Sequence, residues 1–464
     1  MSIDELQSLL PLLVLAGAIV IALLGAAWSR GPRLTFGITL LGLVGSFTAI
    51  FFRGQNGPVP LLAMDSYSAY YMGLIFASAF ALVVFSWEYF QTKNQESSSE
   101  YFIVLLLATL GSAVLVASTN FVSLFLGIEI LSVSLYVLIA YLRPVSGRPE
   151  KDSGLEASLK YLVLAGTASS FLVFGMALIY ASRGSLEFSV LPTPLDTLGL
   201  LGVAMLLAGI GFKLSLAPFH MWSPDVFEGS AAPVTGFIAT ISKGAMFALL
   251  LRLVWVAKWA ESGPTATILG FLAIASMFTG NLAALRQENL KRLLAYSSIA
   301  HLGYLLVALL AGGRIGMEAA AFYLVVYFIT TLIIFGILSV LSDPLDGLFW
   351  QRPWISLVFA AAFLSLAGLP LTAGFIGKFF IASAAVDHTH WALVVILVLN
   401  SAIGIYYYFR VIAKMFASPE LRETTSISIP SRSALAVLGV LLIVLGVYPT
   451  PMLHLIRNAM NFPH

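Results

Sequence analysis

The sequence predicts an all-α polytopic membrane protein with about fourteen transmembrane helices and discontinuous seventh and twelfth spans. Three observations predict it. Apolar residues make up 59% of the 464 residues and charged residues only 10%, against about 25% charged in soluble domains. The apolar residues fall in runs long enough to cross a bilayer, which takes about 20 residues in a helix. The connections between the runs are too short to hold a soluble domain, so the chain reads as one membrane domain.

In chain order the runs lie at 8–29, 34–53, 66–90, 101–118, 120–142, 155–181, 196–220, 232–256, 264–285, 289–311, 316–341, 354–386, 390–416 and 433–450. The residues before the first run carry Asp4 and Glu5 rather than a basic region, and no small-residue cleavage site follows, so a retained span is expected there. The runs group into three N-terminal helices within 1–95, five over 101–256, five over 264–416, and a C-terminal helix with its tail in 433–464.

Charge excludes several functions. A net charge of +2 with no basic cluster argues against nucleic-acid binding. With no cysteine there is no disulfide, thiolate catalysis or Cys-ligated cluster. If the spans alternate, fourteen Lys/Arg fall on one side, among them Arg30, Lys93, Arg143, Arg148, Lys151, Lys291, Arg292 and Arg422. Six fall on the other: Arg53, Arg183, Arg252, Lys258, Arg314 and Arg457. The richer side is expected to be cytoplasmic, in an inner membrane with both termini periplasmic.

Four lysines remain, Lys160, Lys213, Lys243 and Lys378, and all lie inside apolar runs. A lysine at a helix centre costs about 2.5–3.5 kcal/mol on insertion scales, so a functional reason is expected. Lys160 is only a few residues into its run and could snorkel to the interface; Lys243, near the middle of its run, cannot easily do so. Glu129 is central in its span. An unpaired carboxylate there would take up a proton, whereas a neighbouring ammonium would keep both groups charged. Separating such a pair favours proton release, which makes a switch; a fixed ion pair pinning two helices is the other reading. His301, midway through its span, could link lysines too far apart for direct transfer, or be a neutral hydrogen-bonded core residue. His220 follows Pro218 at a helix end and is a candidate for proton access, or only satisfies backbone carbonyls.

Proline interrupts two spans beside lysines. One is Gly211-Phe-Lys-Leu-Ser-Leu-Ala-Pro-Phe-His, the other Ser365-Leu-Ala-Gly-Leu-Pro-Leu-Thr-Ala-Gly-Phe-Ile-Gly-Lys. Proline frees carbonyls that need partners, tolerated in a membrane only where protein or water supplies them. The breaks are five spans apart, so the two broken spans run in opposite directions. That predicts an inverted repeat of spans 4–8 and 9–13, with Lys213 and Lys378 at comparable sites and Lys243 between them.

The stretch from Lys213 through Pro218, His220, Trp222, Pro224, Asp225 and Glu228 to Ser230, followed by Pro233 and Lys243, resembles the core of the antiporter-like membrane subunits of respiratory complex I. Asn289-Leu-Lys-Arg-Leu-Leu-Ala-Tyr-Ser-Ser-Ile-Ala-His matches the same group, and the resemblance runs from about 60 to 415. Lys378 in Gly-Phe-Ile-Gly-Lys, and a chain ending after its fourteenth span, make it most similar to the subunit-N branch. The resemblance implies a proton-translocating subunit of NADH–quinone oxidoreductase, in which Glu129 pairs with Lys213, Lys160 modulates that pair, and Lys243, His301 and Lys378 continue the relay. It also implies that this chain binds no cofactor or metal, with NAD, FMN, iron–sulfur clusters and quinone in partner subunits. The expected partners are neighbouring antiporter-like and small membrane-arm subunits and lipid. A subunit of a multi-subunit sodium/proton antiporter is the alternative, and a scaffold with inert buried charges does not explain two broken helices beside lysines.

Overall fold

The computed structural model describes residues 3–28, 31–54, 59–92, 99–141, 153–191, 195–261, 263–341, 345–418 and 426–460. Arg30, Lys93, Arg143, Arg148, Lys151 and Arg422, part of the orientation argument, lie outside the described residues. The described chain is helical, with only isolated bridges in its loops and no strand.

Among the described residues, thirteen helices are long and apolar enough to cross a membrane. The first six are α1 (Leu10–Trp28), α2 (Pro32–Phe52), α3 (Ser66–Thr92), α4 (Ser99–Ala117), α5 (Phe121–Ala140) and α6 (Gly154–Arg183). Then come α7 (Thr197–Leu214), the short α8 (Trp222–Gly229), α9 (Ala232–Ala257), α10 (Pro264–Leu285), α11 (Leu290–Ala311) and α12 (Gly313–Val340). The twelfth predicted span resolves into α13 (Pro353–Ala367) and α14 (Ala373–Asp387). The chain closes with α15 (Trp391–Met415), α16 (Ile429–Val447) and α17 (Thr450–Ala459). The interior is built on α9, α11 and α12, buried over 100%, 94% and 94% of their apolar windows, while α1, α6, α15 and α16 are a third buried or less. The helix carrying Lys243 is therefore the most enclosed element.

Two expectations about element ends change. The seventh helix stops at Leu214 rather than reaching 220. The stop is a left-handed residue, Ser215 at φ 58, with Leu216 N–H donating to Gly211 C=O at 2.8 Å and Ser215 N–H to Phe212 C=O at 2.9 Å. The twelfth span stops in the same way at Gly368, φ 77, with Leu369 N–H on Leu364 C=O and Gly368 N–H on Ser365 C=O. Both are Schellman closures; Pro218 and Pro370 follow them and prevent the helix from resuming at once. At the C-terminus the predicted 433–450 lies at Ile429–Val447, and α17 is a separate amphipathic helix after Pro449.

A third departure concerns Arg252. Counted among residues at the membrane face, it is 3% exposed inside α9. It forms a bidentate pair with Asp65, NH1–Oδ2 and NH2–Oδ1 both 2.9 Å, and its guanidinium lies 4.6 Å from the Tyr67 ring. The apolar run 232–256 already contains Arg252, so this site was countable in the sequence. Burial works to raise the Asp65 carboxyl, but the Arg252 guanidinium and the Ser68 hydrogen bonds prevail and hold it below the usual carboxylate range.

Candidate functional site

The three lysines of the interior share one construction. Lys213, at the last turn of α7, is 6% exposed and donates from Nζ to Ser132 Oγ on α5 at 2.6 Å. Lys243, at the start of the regular part of α9, is 1% exposed and donates to Ser298 Oγ on α11 at 2.8 Å. Lys378 on α14 is 7% exposed and donates to Ser401 Oγ on α15 at 2.8 Å. Each Nζ also faces an aromatic ring: Tyr161 at 5.5 Å, Phe227 at 5.2 Å and Tyr304 at 5.1 Å respectively. In each site the hydroxyl accepts from the ammonium and the ring face favours the charged form, while the Ser132 hydroxyl itself donates to the Ile128 carbonyl at 2.6 Å.

Backbone geometry places each of them. Lys243 follows directly on a π-turn, Ile238–Ser242, that widens α9; such bulges concentrate at functional sites. Its neighbour Gly244 faces Phe328 so closely that a Cβ would lie 2.2 Å from the ring. Lys378 sits on the far side of its break from Gly368, and Nζ donates to the carbonyls of Leu366 and Ala367 at 3.0 Å each, the end of α13. A cation there also suits the negative end of that helix dipole. Lys213 instead precedes its break, and the Phe212 carbonyl, which accepts from Ser215 N–H, also accepts from Trp222 Nε1 at 2.9 Å. The two lysines thus stand on opposite limbs of their breaks rather than at matching positions.

Glu129 and Lys213 make no direct ion pair among the described residues. Glu129, half-buried, accepts from Ser169 Oγ on α6 at 2.7 Å, and the ammonium rests on Ser132, one turn along α5. Lys160 is the outlier, its side chain 46% exposed and paired with Glu156 and Asp225, both at 2.9 Å. It lies at the face and away from Glu129. His220 lies in the break after α7, half-buried, with Nδ1 lacking a partner among the described residues and its ring 6.5 Å from Tyr296.

His301 is 2% exposed and hydrogen-bonded on both ring nitrogens, Nδ1 to Tyr323 and Nε2 to Tyr408 at 2.9 Å. Tyr408 also bonds Ser297, and Tyr327 donates to Ser298, the residue holding Lys243. The His301 ring lies 5.5 Å from those of both Tyr327 and Tyr304, the latter being the ring beneath Lys378. Tyr304 in turn accepts from Asn281, which also meets Asn400 and Tyr407. A cavity of about 10 Å³ lies between Phe227, Ser297, Tyr327 and Thr331, room for one water. The second half therefore sets three hydrogen-bonded groups between Lys243 and Lys378, Lys243–Ser298–Tyr327, Tyr323–His301–Tyr408–Ser297 and Tyr304–Asn281, with ring contacts rather than hydrogen bonds between His301 and the rings of Tyr327 and Tyr304. Among the described residues no chain of hydrogen bonds joins Lys213 to Lys243 either.

The serines and tyrosines of this column were not singled out in the sequence. Serine is nearly silent in a hydropathy reading, and several helical serines here bond their own i−4 carbonyl, as Ser86 and Ser112 do. Glu88 was likewise missed; it is 6% exposed and accepts from Ser428 N–H at 3.0 Å, at the start of α16. Among the described residues no three His, Asp or Glu side chains converge where a metal ion could sit.

Relatives share this architecture. A family model described as NADH:quinone oxidoreductase/Mrp antiporter, TM, matches residues 118–404. A chain of respiratory complex I from Thermus thermophilus, solved with bound aureothin, is 35% identical over 96% of this chain and 98% of its own, at a TM-score of 0.84. A chain of the membrane-bound sulfane sulfur reductase, an archaeal respiratory membrane complex, is 25% identical over 98% and 97%, at 0.85. A chain of the Mrp complex from Dietzia sp. is 20% identical over 99% and 97%, at 0.86, and shares the fold. With more than half its length matched by the family model, and with the Thermus chain similar from end to end, this protein belongs to the NADH:quinone oxidoreductase/Mrp antiporter transmembrane family.

Proposed function

We propose that this chain is a proton-translocating membrane-arm subunit of a complex I-type NADH:quinone oxidoreductase, of the subunit-N kind, with no redox site of its own. The observation that carries the reading is the recurring lysine–serine–ring site, three times in the interior, with His301 and its tyrosines between the second and third. In this scheme Glu129, Lys213, Lys243, His301 and Lys378 transfer protons, Lys160 modulates the Glu129–Lys213 pair, and His220 gives access at the break. Lys213 resting on Ser132, roughly 4.5 Å along α5 from Glu129, is the intermediate position between pairing with Glu129 and giving its proton to water on the way to Lys243. Quinone reduction elsewhere in the complex would drive that movement, with NAD, FMN, iron–sulfur clusters and quinone held by partner subunits. The partners would be neighbouring antiporter-like and small subunits in an inner membrane, with both termini on the periplasmic side. The two five-helix units, 101–256 and 264–416, would act as inverted halves, flanked by the helices of 1–95 and 433–464.

Membership of a multi-subunit sodium/proton antiporter is the second reading, supported by a family that includes both kinds of complex. The Thermus chain at 35% identity, against 20% for the Mrp chain, favours the first. Lys213→Ala in the assembled complex should depress quinone-reductase turnover and the protons moved per turnover, and Glu129→Gln should do so more mildly. Wild-type rates and stoichiometry in Lys213→Ala would remove the relay reading. Sodium-dependent transport without any redox partner would favour the antiporter.

A further inference from the structure

Lys160 lies nine residues before Ser169, the residue that holds Glu129, so about 13.5 Å of helix separates their levels on α6. Helical side chains also lean towards the N-terminus, which tilts Lys160 further away. It cannot reach Glu129 without moving the helix. What it does reach is Asp225 on α8, Nζ–Oδ2 2.9 Å. The other Asp225 oxygen is taken by Arg292 of α11, Oδ1 to NH1 2.8 Å, and the same guanidinium nitrogen bonds Glu228 at 2.9 Å. Asn289 and Lys291 add bonds from the start of α11 to Glu228 and to the Ser230 carbonyl. One carboxylate is thus shared between a cation from each half of the molecule.

What the clamp holds is the wall of the Lys213 site. Three residues before Asp225, Trp222 packs on Tyr161 with ring centres 4.8 Å apart and bonds the Phe212 carbonyl. Tyr161, next to Lys160 in the chain, is the ring beneath the Lys213 ammonium. Lys160 and Asp225 therefore close, from the face, the aromatic box in which Lys213 sits. We infer that Asp225 is the residue through which Lys160 acts, a positioning residue that ties α6 and α11 to the helix after the break and so sets the Lys213 site. This rests on the proton-relay reading above.

A double-mutant cycle in the assembled, membrane-reconstituted complex tests it, with redox-driven proton uptake measured per assembled complex. Asp225→Asn and Lys160→Gln should each lower uptake by about threefold, the scale of a partly exposed ion pair. The double variant should be no worse than the poorer single, because partners in one contact are non-additive. Asp225→Glu should recover most of the uptake, which loss of packing alone would not allow. Wild-type uptake in Asp225→Asn, or multiplying losses in the double variant, would overturn the inference while leaving the relay standing. Normal uptake in a parallel Lys213→Ala sample would overturn both.

Discussion

Lys378 lies across Gly368, whose missing side chain leaves the path for it; a Cβ there would be 2.8 Å from Lys378 Cδ and 3.0 Å from Nζ. At φ 77 a side chain is also strained, by about 1–2 kcal/mol. Gly368→Ala should therefore lower the thermal unfolding midpoint and weaken proton uptake together, through a displaced ammonium. An unchanged rate would mean that the position of Lys378 does not matter. Asp65 carries a prediction with a sign in pH. Its carboxyl is held below the ordinary range, so the stability of its pair with Arg252 is fully present above the unfolded carboxyl value, near 3.9. That contribution is lost only as pH falls through the lower folded value. Asp65→Asn should cost about 3 kcal/mol near neutrality by stranding Arg252, and the gap between variant and parent should persist to pH 4 in detergent-solubilised protein. A gap already closed at pH 5 would put Asp65 outside a working pair. Lys213, Lys243 and Lys378 were legible because an ammonium in an apolar run is conspicuous. Ser132, Ser298 and Ser401 were not, since a hydroxyl in a membrane helix is satisfied by its own backbone until a tertiary neighbour claims it.

The two breaks are the elements that shape the site, and they differ where it matters. Both end in a left-handed residue, but one is Gly368 and the other Ser215. Ser215 Oγ has no hydrogen-bond partner among the described residues, so no neighbour there requires the serine side chain. Ser215→Gly should relieve about 1 kcal/mol of left-handed strain and raise the unfolding midpoint, the opposite of Gly368→Ala; a lowered midpoint would show that the serine has a role in the break. The sequence places both breaks through their prolines, but the stop itself comes two or three residues earlier, where a Schellman closure needs only local backbone bonds. The π-turn before Lys243 left no trace in Gly236-Phe-Ile-Ala-Thr-Ile-Ser, because it depends on packing around α9 and not on the residues of the turn.

At the scale of the molecule the hydropathy runs recover the membrane spans closely, since burial in lipid or among apolar helices leaves the same composition. They do not say which helices are central. α9, α11 and α12 form the interior, and α9, which holds both Lys243 and Arg252, has the lowest mean hydropathy of the spans, 1.7 against 2.6 for α1. Lys160 shows the converse: it lies within an apolar run, yet the chain folds so that it meets Asp225 at the face. In the proposed relay the titratable and hydroxyl groups between Lys243 and Lys378 carry protons in the second half, and water would carry them between Lys213 and Lys243. The most direct test of that account is the number of protons moved per quinone reduced by the reconstituted complex carrying Lys243→Met, a neutral side chain of similar length. The account predicts a lower ratio, with electron transfer persisting once the proton gradient is collapsed by an uncoupler. A ratio equal to that of the unsubstituted complex would contradict it.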